Sequence, residues 1–152
     1  VGVLNELPDF DGDGDVDGDD FDILAANLGS VDLHYDLDND GDADADDLDY
    51  MITTCLQWAN AAAAGYGTFA GDFNLDGTVN AGDLALLATN YGQPGSWGFA
   101  QGDANGDSMI DAGDLAALAT NYGQQVTAVP EPASLSLMAL AGLAVIRRRS
   151  RC

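Results

Sequence analysis

Apolar residues recur along this chain at helical spacing in four short stretches, each preceded by a run in which polar residues alternate. The stripes are Phe21, Leu24, Ala25, Leu28; Leu48, Met51, Ile52, Cys55; Leu84, Leu87, Ala88, Tyr91; and Leu115, Leu118, Ala119, Tyr122. Each follows the i, i+3, i+4, i+7 rule of one buried helix face, so four short helices are predicted. Gly29, Gly92 and Gly123 fall where a helix C′ residue favours glycine. The second stretch has no such stop, and its helix is expected to run on through Trp58 and Ala59.

The runs before the stripes share one register. Asp opens a frame, Asp or Asn stands at place three, Asp at place five and a closing Asp at place twelve. The frames are Asp9 to Asp20 (DFDGDGDVDGDD), Asp36 to Asp47 (DLDNDGDADADD), Asp72 to Asp83 (DFNLDGTVNAGD) and Asp103 to Asp114 (DANGDSMIDAGD). This is the spacing of a calcium loop. Calcium takes about 6 to 8 oxygens, more than adjacent side chains can present together, so alternate residues must curl around it. Side chains at places one, three and five supply oxygens, place seven gives its carbonyl, place nine acts through water and place twelve closes the shell. The candidate ligands are therefore Asp9, Asp11, Asp13, Asp15, Asp17 and Asp20; Asp36, Asp38, Asp40, Asp42, Asp44 and Asp47; Asp72, Asn74, Asp76, Thr78, Asn80 and Asp83; and Asp103, Asn105, Asp107, Met109, Asp111 and Asp114.

Place six makes the sharp bend and favours glycine. Gly14, Gly41 and Gly77 occupy it, but the fourth frame has Ser108. A left-handed non-glycine costs on the order of 1 to 2 kcal/mol, so site four is expected to be the weakest. Place eight is apolar throughout (Val16, Ala43, Val79, Ile110), the kind of inward side chain that lets paired loops zip together. A solvated acidic tract would explain the charge but not this register, because like-charge blocks need neither glycine at place six nor a helical stripe from place thirteen.

The stretches from Gly71 to Leu84 (GDFNLDGTVNAGDL) and from Gly102 to Leu115 resemble type I dockerin repeats. The resemblance implies paired F-hands, each a calcium loop with its exit helix, closed by Asp at place twelve. Frames one and two resemble this more loosely, and their Asp-Gly-Asp-Gly-Asp run is also similar to thrombospondin type 3 calcium repeats. The implied fold is small and all-α, with two dockerin-like modules over residues 1–64 and 65–126, antiparallel helices within each, and little or no sheet. In cohesin-binding dockerins the recognition residues lie at places ten and eleven, often Ser-Thr. Here those places hold Gly18-Asp19, Ala45-Asp46, Ala81-Gly82 and Ala112-Gly113, a departure that weighs against cohesin recognition.

Residues 127–152 form a third unit. Val129-Pro-Glu-Pro-Ala133, the apolar run from Leu135 to Ile146 and then Arg147, Arg148 and Arg149 resemble a PEP-CTERM sorting signal. That resemblance implies an exported bacterial surface protein, with transient membrane contact through a C-terminal apolar helix. The run is shorter than the roughly 20 residues of a full span, and the Arg cluster belongs on the cytoplasmic side. No N-terminal signal sequence is legible and the chain starts at Val1, as expected of a mature chain or a fragment.

Composition narrows the functions further. The 152 residues carry 26 acids against 4 basic residues, a net charge of −22. All the Arg lie in the tail and Lys is absent, so the body is purely acidic and repels nucleic acid and anionic membrane. Half-chains this small need a disulfide, a metal or a partner. Cys55 falls on a predicted buried stripe and Cys152 in the tail, which leaves calcium as the staple. His34 is the only histidine and reads as a solvated loop residue. Carboxylate pairs for glycoside hydrolysis need one raised pKa in a substrate cleft, whereas a calcium loop holds its carboxylates ionised.

No enzyme is expected. The chain reads instead as an exported calcium-binding assembly protein, whose partner is either itself, as a homo-polymer in a fibre, layer or matrix, or a cohesin-like protein bound by the dockerin tail of a larger secreted glycan-degrading enzyme. A calcium buffer or sensor fits less well, since only Met51 lies on a helix stripe. If calcium is the staple, excess EGTA should collapse the helical circular dichroism seen in millimolar calcium, because a ligand of the native state stabilises it by mass action. An unchanged spectrum would refute it.

Overall fold

The computed structural model describes residues 8–59 and 64–127. Each frame is a loop running into a helix: α1 (Gly18–Ala26), α2 (Ala45–Tyr50), α3 (Ala81–Asn90) and α4 (Ala112–Asn121). The helices begin at place ten, three residues before the apolar stripe, because place nine is an N-cap. Asp17, Asp44, Asn80 and Asp111 accept the N–H two residues on at 2.7–2.8 Å. The closing aspartates Asp20, Asp47, Asp83 and Asp114 return the favour, accepting the N-cap N–H at 2.7–3.0 Å. Such a capping box satisfies orphan donors reciprocally and puts a carboxylate at the positive end of each helix dipole.

The second helix does not run on through Trp58 and Ala59. After Tyr50 it widens into one π-helical segment, Met51–Cys55, closed by the Leu56 N–H donating to the Met51 carbonyl at 2.9 Å. Leu56 then turns extended, and strand β1 (Gln57–Ala59) pairs antiparallel with β2 (Ala64–Tyr66), placing Trp58 opposite Gly65. Burial decides the outcome: Leu56 is fully buried and Trp58 is 4 % exposed, and a continued helix would have carried both onto new faces. The C-terminal apolar helix expected over 135–146 and Cys152 lie outside the described residues.

Place eight joins each loop to its partner repeat, its carbonyl taking the N–H of a residue two or three places past the end of the partner helix. Gly29 donates to Ala43 at 2.6 Å and Gln57 to Val16 at 2.8 Å; Gly92 donates to Ile110 at 2.9 Å and Gly123 to Val79 at 2.8 Å. The exchange is reciprocal within each pair of frames, as a pseudo-twofold requires. The π turn adds one residue to α2, so Gln57 holds the place that glycine holds after the other helices. The side chains of Val16, Ala43, Val79 and Ile110 point inward and are at most 2 % exposed.

Burial corrects the stripes as well. Phe21, Leu24, Leu48, Met51, Ile52 and Cys55 are buried as expected, whereas Ala25 is half-buried and Leu28 is exposed. In α3 and α4, however, only Leu87 and Leu118 are buried; Leu84, Ala88, Tyr91, Leu115, Ala119 and Tyr122 are exposed. The apolar core is continuous across the two halves. Phe99, on a short 3₁₀ turn (Phe99–Gln101) in the second half, packs against Phe21 at 4.9 Å and Phe73 at 5.6 Å between ring centroids. Its N–H donates to Asp22 at 2.8 Å. Aromatic pairs of this kind contribute about 0.5–1.5 kcal/mol each beyond their buried area.

Gly71 and Gly102, just before frames three and four, sit at φ 104° and 120°. A Cβ there would lie 2.6 Å from the Leu118 backbone and 2.9 Å from that of Leu87, each on the opposite helix. Gly92 also has positive φ but faces open space. Gly92→Ala should therefore cost only the left-handed strain, about 1–2 kcal/mol. Gly71→Ala or Gly102→Ala should add an overpacking cost of about 1–3 kcal/mol. Urea unfolding in calcium measures the difference, and equal losses at the three sites would contradict the close approach.

Candidate metal centre

Every loop is built by the same hydrogen bonds. The opening aspartate accepts the place-six N–H: Gly14 to Asp9 at 3.1 Å, Gly41 to Asp36 at 3.1 Å, Gly77 to Asp72 at 2.9 Å and Ser108 to Asp103 at 2.7 Å. Place three accepts from place five at 3.0–3.1 Å in Asp11, Asp38, Asn74 and Asn105. Place five accepts from place seven, with Asp15, Asp42, Thr78 and Met109 donating to Asp13, Asp40, Asp76 and Asp107 at 2.8–3.3 Å. The closing aspartate reaches across the loop as well as back to the N-cap. Asp20 accepts from Phe10 at 2.6 Å, Asp47 from Leu37 at 2.6 Å, Asp83 from Asn74 at 3.2 Å and Asp114 from Ala104 at 2.8 Å. These four carboxylates are at most 1 % exposed; the oxygen that accepts from the N-cap takes that one bond and keeps a lone pair for a cation.

Two left-handed residues make each turn, not one. Ser108 at place six has φ 65°, as the frame requires. Place four is left-handed too, at Gly12 (79°), Asn39 (65°), Leu75 (50°) and Gly106 (73°). Gly and Asn are at ease there, but Leu75 is not. Frames three and four thus carry one strained residue apiece, which sets Leu75 against Ser108 in any ranking of the two sites. Glycine or asparagine at three of the four place-four positions was the signal for this second bend.

The carboxylates converge as a hard cation demands. Oxygens of Asp9, Asp11 and Asp13 lie within 4.8 Å of one another, as do those of Asp36, Asp38 and Asp40, and those of Asp15, Asp17 and Asp20. In frames three and four an amide stands where frames one and two set carboxylate against carboxylate. Asn74 and Asn105 each donate from Nδ2 to the place-five carboxylate at 3.2 Å. The Asn80 amide donates to the Thr78 carbonyl at 3.0 Å, the group that place seven offers to calcium. Thr68, outside the frame, donates its hydroxyl to Asp72. His34 is exposed, edge-on to Phe10, and Cys55 is a buried free thiol.

Crowding raises several of these carboxyl pKa values. Desolvation lifts Asp72, Asp103, Asp15 and Asp38, reinforced by neighbouring carboxylates. At Asp42 the charges of Asp40 and Asp44 lead. Asp11 rises although the Asp13 N–H lowers it, since desolvation and the charges of Asp13, Asp20 and Asp9 together outweigh that bond. A divalent cation among them would offset the repulsion between the carboxylates. The donor set fits calcium: hard oxygens alone, at the spacing its loop uses.

Against known families, residues 70–119 match the dockerin type I domain and residues 128–151 the PEP-CTERM protein-sorting motif. No curated protein and no solved structure matches the chain. The second half therefore contains a dockerin type I domain, a calcium-binding module of protein–protein association. The motif after it marks export to the bacterial cell surface or exterior. Among the described residues no helix is long and apolar enough to cross a membrane.

The raised carboxylates fix the sign of a pH effect. A carboxyl whose folded pKa exceeds its unfolded value binds protons more tightly when folded, so the metal-free chain gains stability as pH falls from 7 toward the carboxylate range. Calcium affinity must fall over the same interval, because protons compete for the ligands. Metal-stripped protein should thus gain helical dichroism on mild acidification, while the calcium midpoint in a titration moves upward. A metal-free chain that unfolds on the way from pH 7 to 5 would contradict this.

Proposed function

We propose that this is an exported calcium-dependent assembly protein. Its four loops bind about four calcium ions, and the α3–α4 pair is the docking surface. One observation carries the reading. In a chain of net charge −22, the exposed positions of α3 (Ala81, Gly82, Leu84, Ala85, Ala88, Thr89) and their counterparts on α4 (Ala112, Gly113, Leu115, Ala116, Ala119, Thr120) bear no charge. The helices of the first half expose Asp19, Asp46 and Asp49 instead. Patches of contiguous exposed apolar surface mark interaction sites, and depletion of charge is the signature of an interface centre. The first half, with the same loop geometry, acts as a second F-hand pair that supports the first.

Self-association in a fibre, layer or matrix is favoured over cohesin capture by places ten and eleven, where Ala-Gly offers no side-chain hydrogen bond. The chain is a scaffold rather than an enzyme. The cohesin reading, in which the chain is the dockerin tail of a larger secreted glycan-degrading enzyme, rests on the dockerin match itself.

Light scattering separates the outcomes. Millimolar calcium should assemble the chain, chelator should disperse it, and reductant should leave it intact, since Cys55, the cysteine among the described residues, is a buried free thiol. Leu84→Asp with Leu115→Asp should abolish assembly, each change costing about 2 kcal/mol or more if these are hot spots, while calcium-induced folding persists. A calcium-loaded monomer that binds a cohesin tightly would move the assignment to the enzyme-tail reading.

A further inference from the structure

Strand β1 touches two calcium loops that belong to different pairs. Its Gln57 N–H donates to the Val16 carbonyl at 2.8 Å, and its Ala59 N–H donates to the Leu75 carbonyl at 2.9 Å. Val16 lies between places seven and nine of loop one; Leu75 lies between places three and five of loop three, at the strained φ of 50°. Between the two bonds, the Trp58 ring is held by two glycines. A Cβ on Gly65 would lie 3.0 Å from Cζ2, and one on Gly77, at place six of loop three, 2.7 Å from Cε3. Val126 closes the other side of Gly77, at 2.6 Å from the same position, and its N–H donates to the Gly77 carbonyl at 2.9 Å.

We propose that β1 is a strut through which calcium binding in loop one positions loop three, with Trp58 and Ala59 as positioning residues for a site to which they contribute no ligand. The inference rests on the calcium reading of the loops. Closing loop one around an ion fixes the Val16 carbonyl and so the start of β1. A strand of three residues, bonded on one edge to β2 and on the other to both loops, transmits that position to Leu75. The bend at Leu75 and Gly77 is then held before calcium arrives, although Leu75 alone disfavours it. Calcium in either loop favours the same arrangement of β1, and such coupling is reciprocal in binding free energy. The docking domain would thereby form at lower calcium on a chain whose first half is loaded.

The amides of Gly14 and Gly77 each donate to the opening aspartate of their own loop, so their NMR shifts follow loops one and three separately during a calcium titration of the full chain. Asp13→Asn weakens loop one while keeping an acceptor for the Asp15 N–H. It should raise the calcium midpoint of Gly77 by about fivefold or more, the lower end of typical coupling, and Asp76→Asn should raise that of Gly14 by a similar factor. In an Ala59→Pro background, which removes the donor to Leu75 at a strand edge that tolerates proline, Asp13→Asn should no longer move Gly77. Trp58→Phe serves as the second uncoupler if that background fails to fold. A Gly77 midpoint within about twofold of the unaltered chain in Asp13→Asn, or a full shift that survives both uncouplers, overturns the strut and leaves calcium binding intact. Amides that ignore calcium in the unaltered chain overturn the calcium reading and the strut together.

Discussion

A buried carboxylate that faces three ways holds each repeat together. Asp20, Asp47, Asp83 and Asp114 are shut away from water, accept from both the start of the loop and the helix N-cap, and retain lone pairs for a cation. Burying a charge is costly unless it is hydrogen-bonded and compensated. Loop closure, helix initiation and the candidate metal shell therefore meet at one side chain. Asp suits this place because its short stem lets the carboxylate turn back on its own helix while still spanning the loop.

Much of this was legible because it depends on residues near in sequence. The frames, the bend at place six and the left-handed Ser108 follow from local stereochemistry. The helix starts were encoded too, in the Asp or Asn three residues before each closing Asp, although the apolar stripe alone set them too late. What depended on distant residues was hidden. Nothing local distinguishes Leu84 from Phe21, yet one is exposed and the other lies under Phe99, seventy-eight residues further along the chain. Leu75 takes a conformation that its own chemistry disfavours, while Ala59 of the hairpin donates to its carbonyl. The end of the second helix was misread for the same reason, since Trp58 is committed to Gly65 and Gly77 rather than to its own helix.

Charge divides the molecule into an acidic part and an uncharged face. Acidic side chains crowd the loops and the outer faces of α1 and α2, where repulsion opposes close approach of another acidic body. The outer faces of α3 and α4 lack charge and repeat nearly the same residues in the same exposure pattern. A surface of that kind costs little to desolvate. The sorting motif after these helices marks the chain for export.

The single π turn after α2 sets a limit on how freely the repeats can be exchanged. Since Leu56 bonds to Met51 five residues back, this repeat is one residue longer between its loop and its exit than the other three. A chimera that replaced it with a regular α-helical repeat would keep a sound calcium loop and a sound helix. It would nevertheless deliver the following strand one residue early, turning the indole to the opposite face of the hairpin. The array is therefore not a string of interchangeable beads: its second bead has a fixed address, written as one surplus residue.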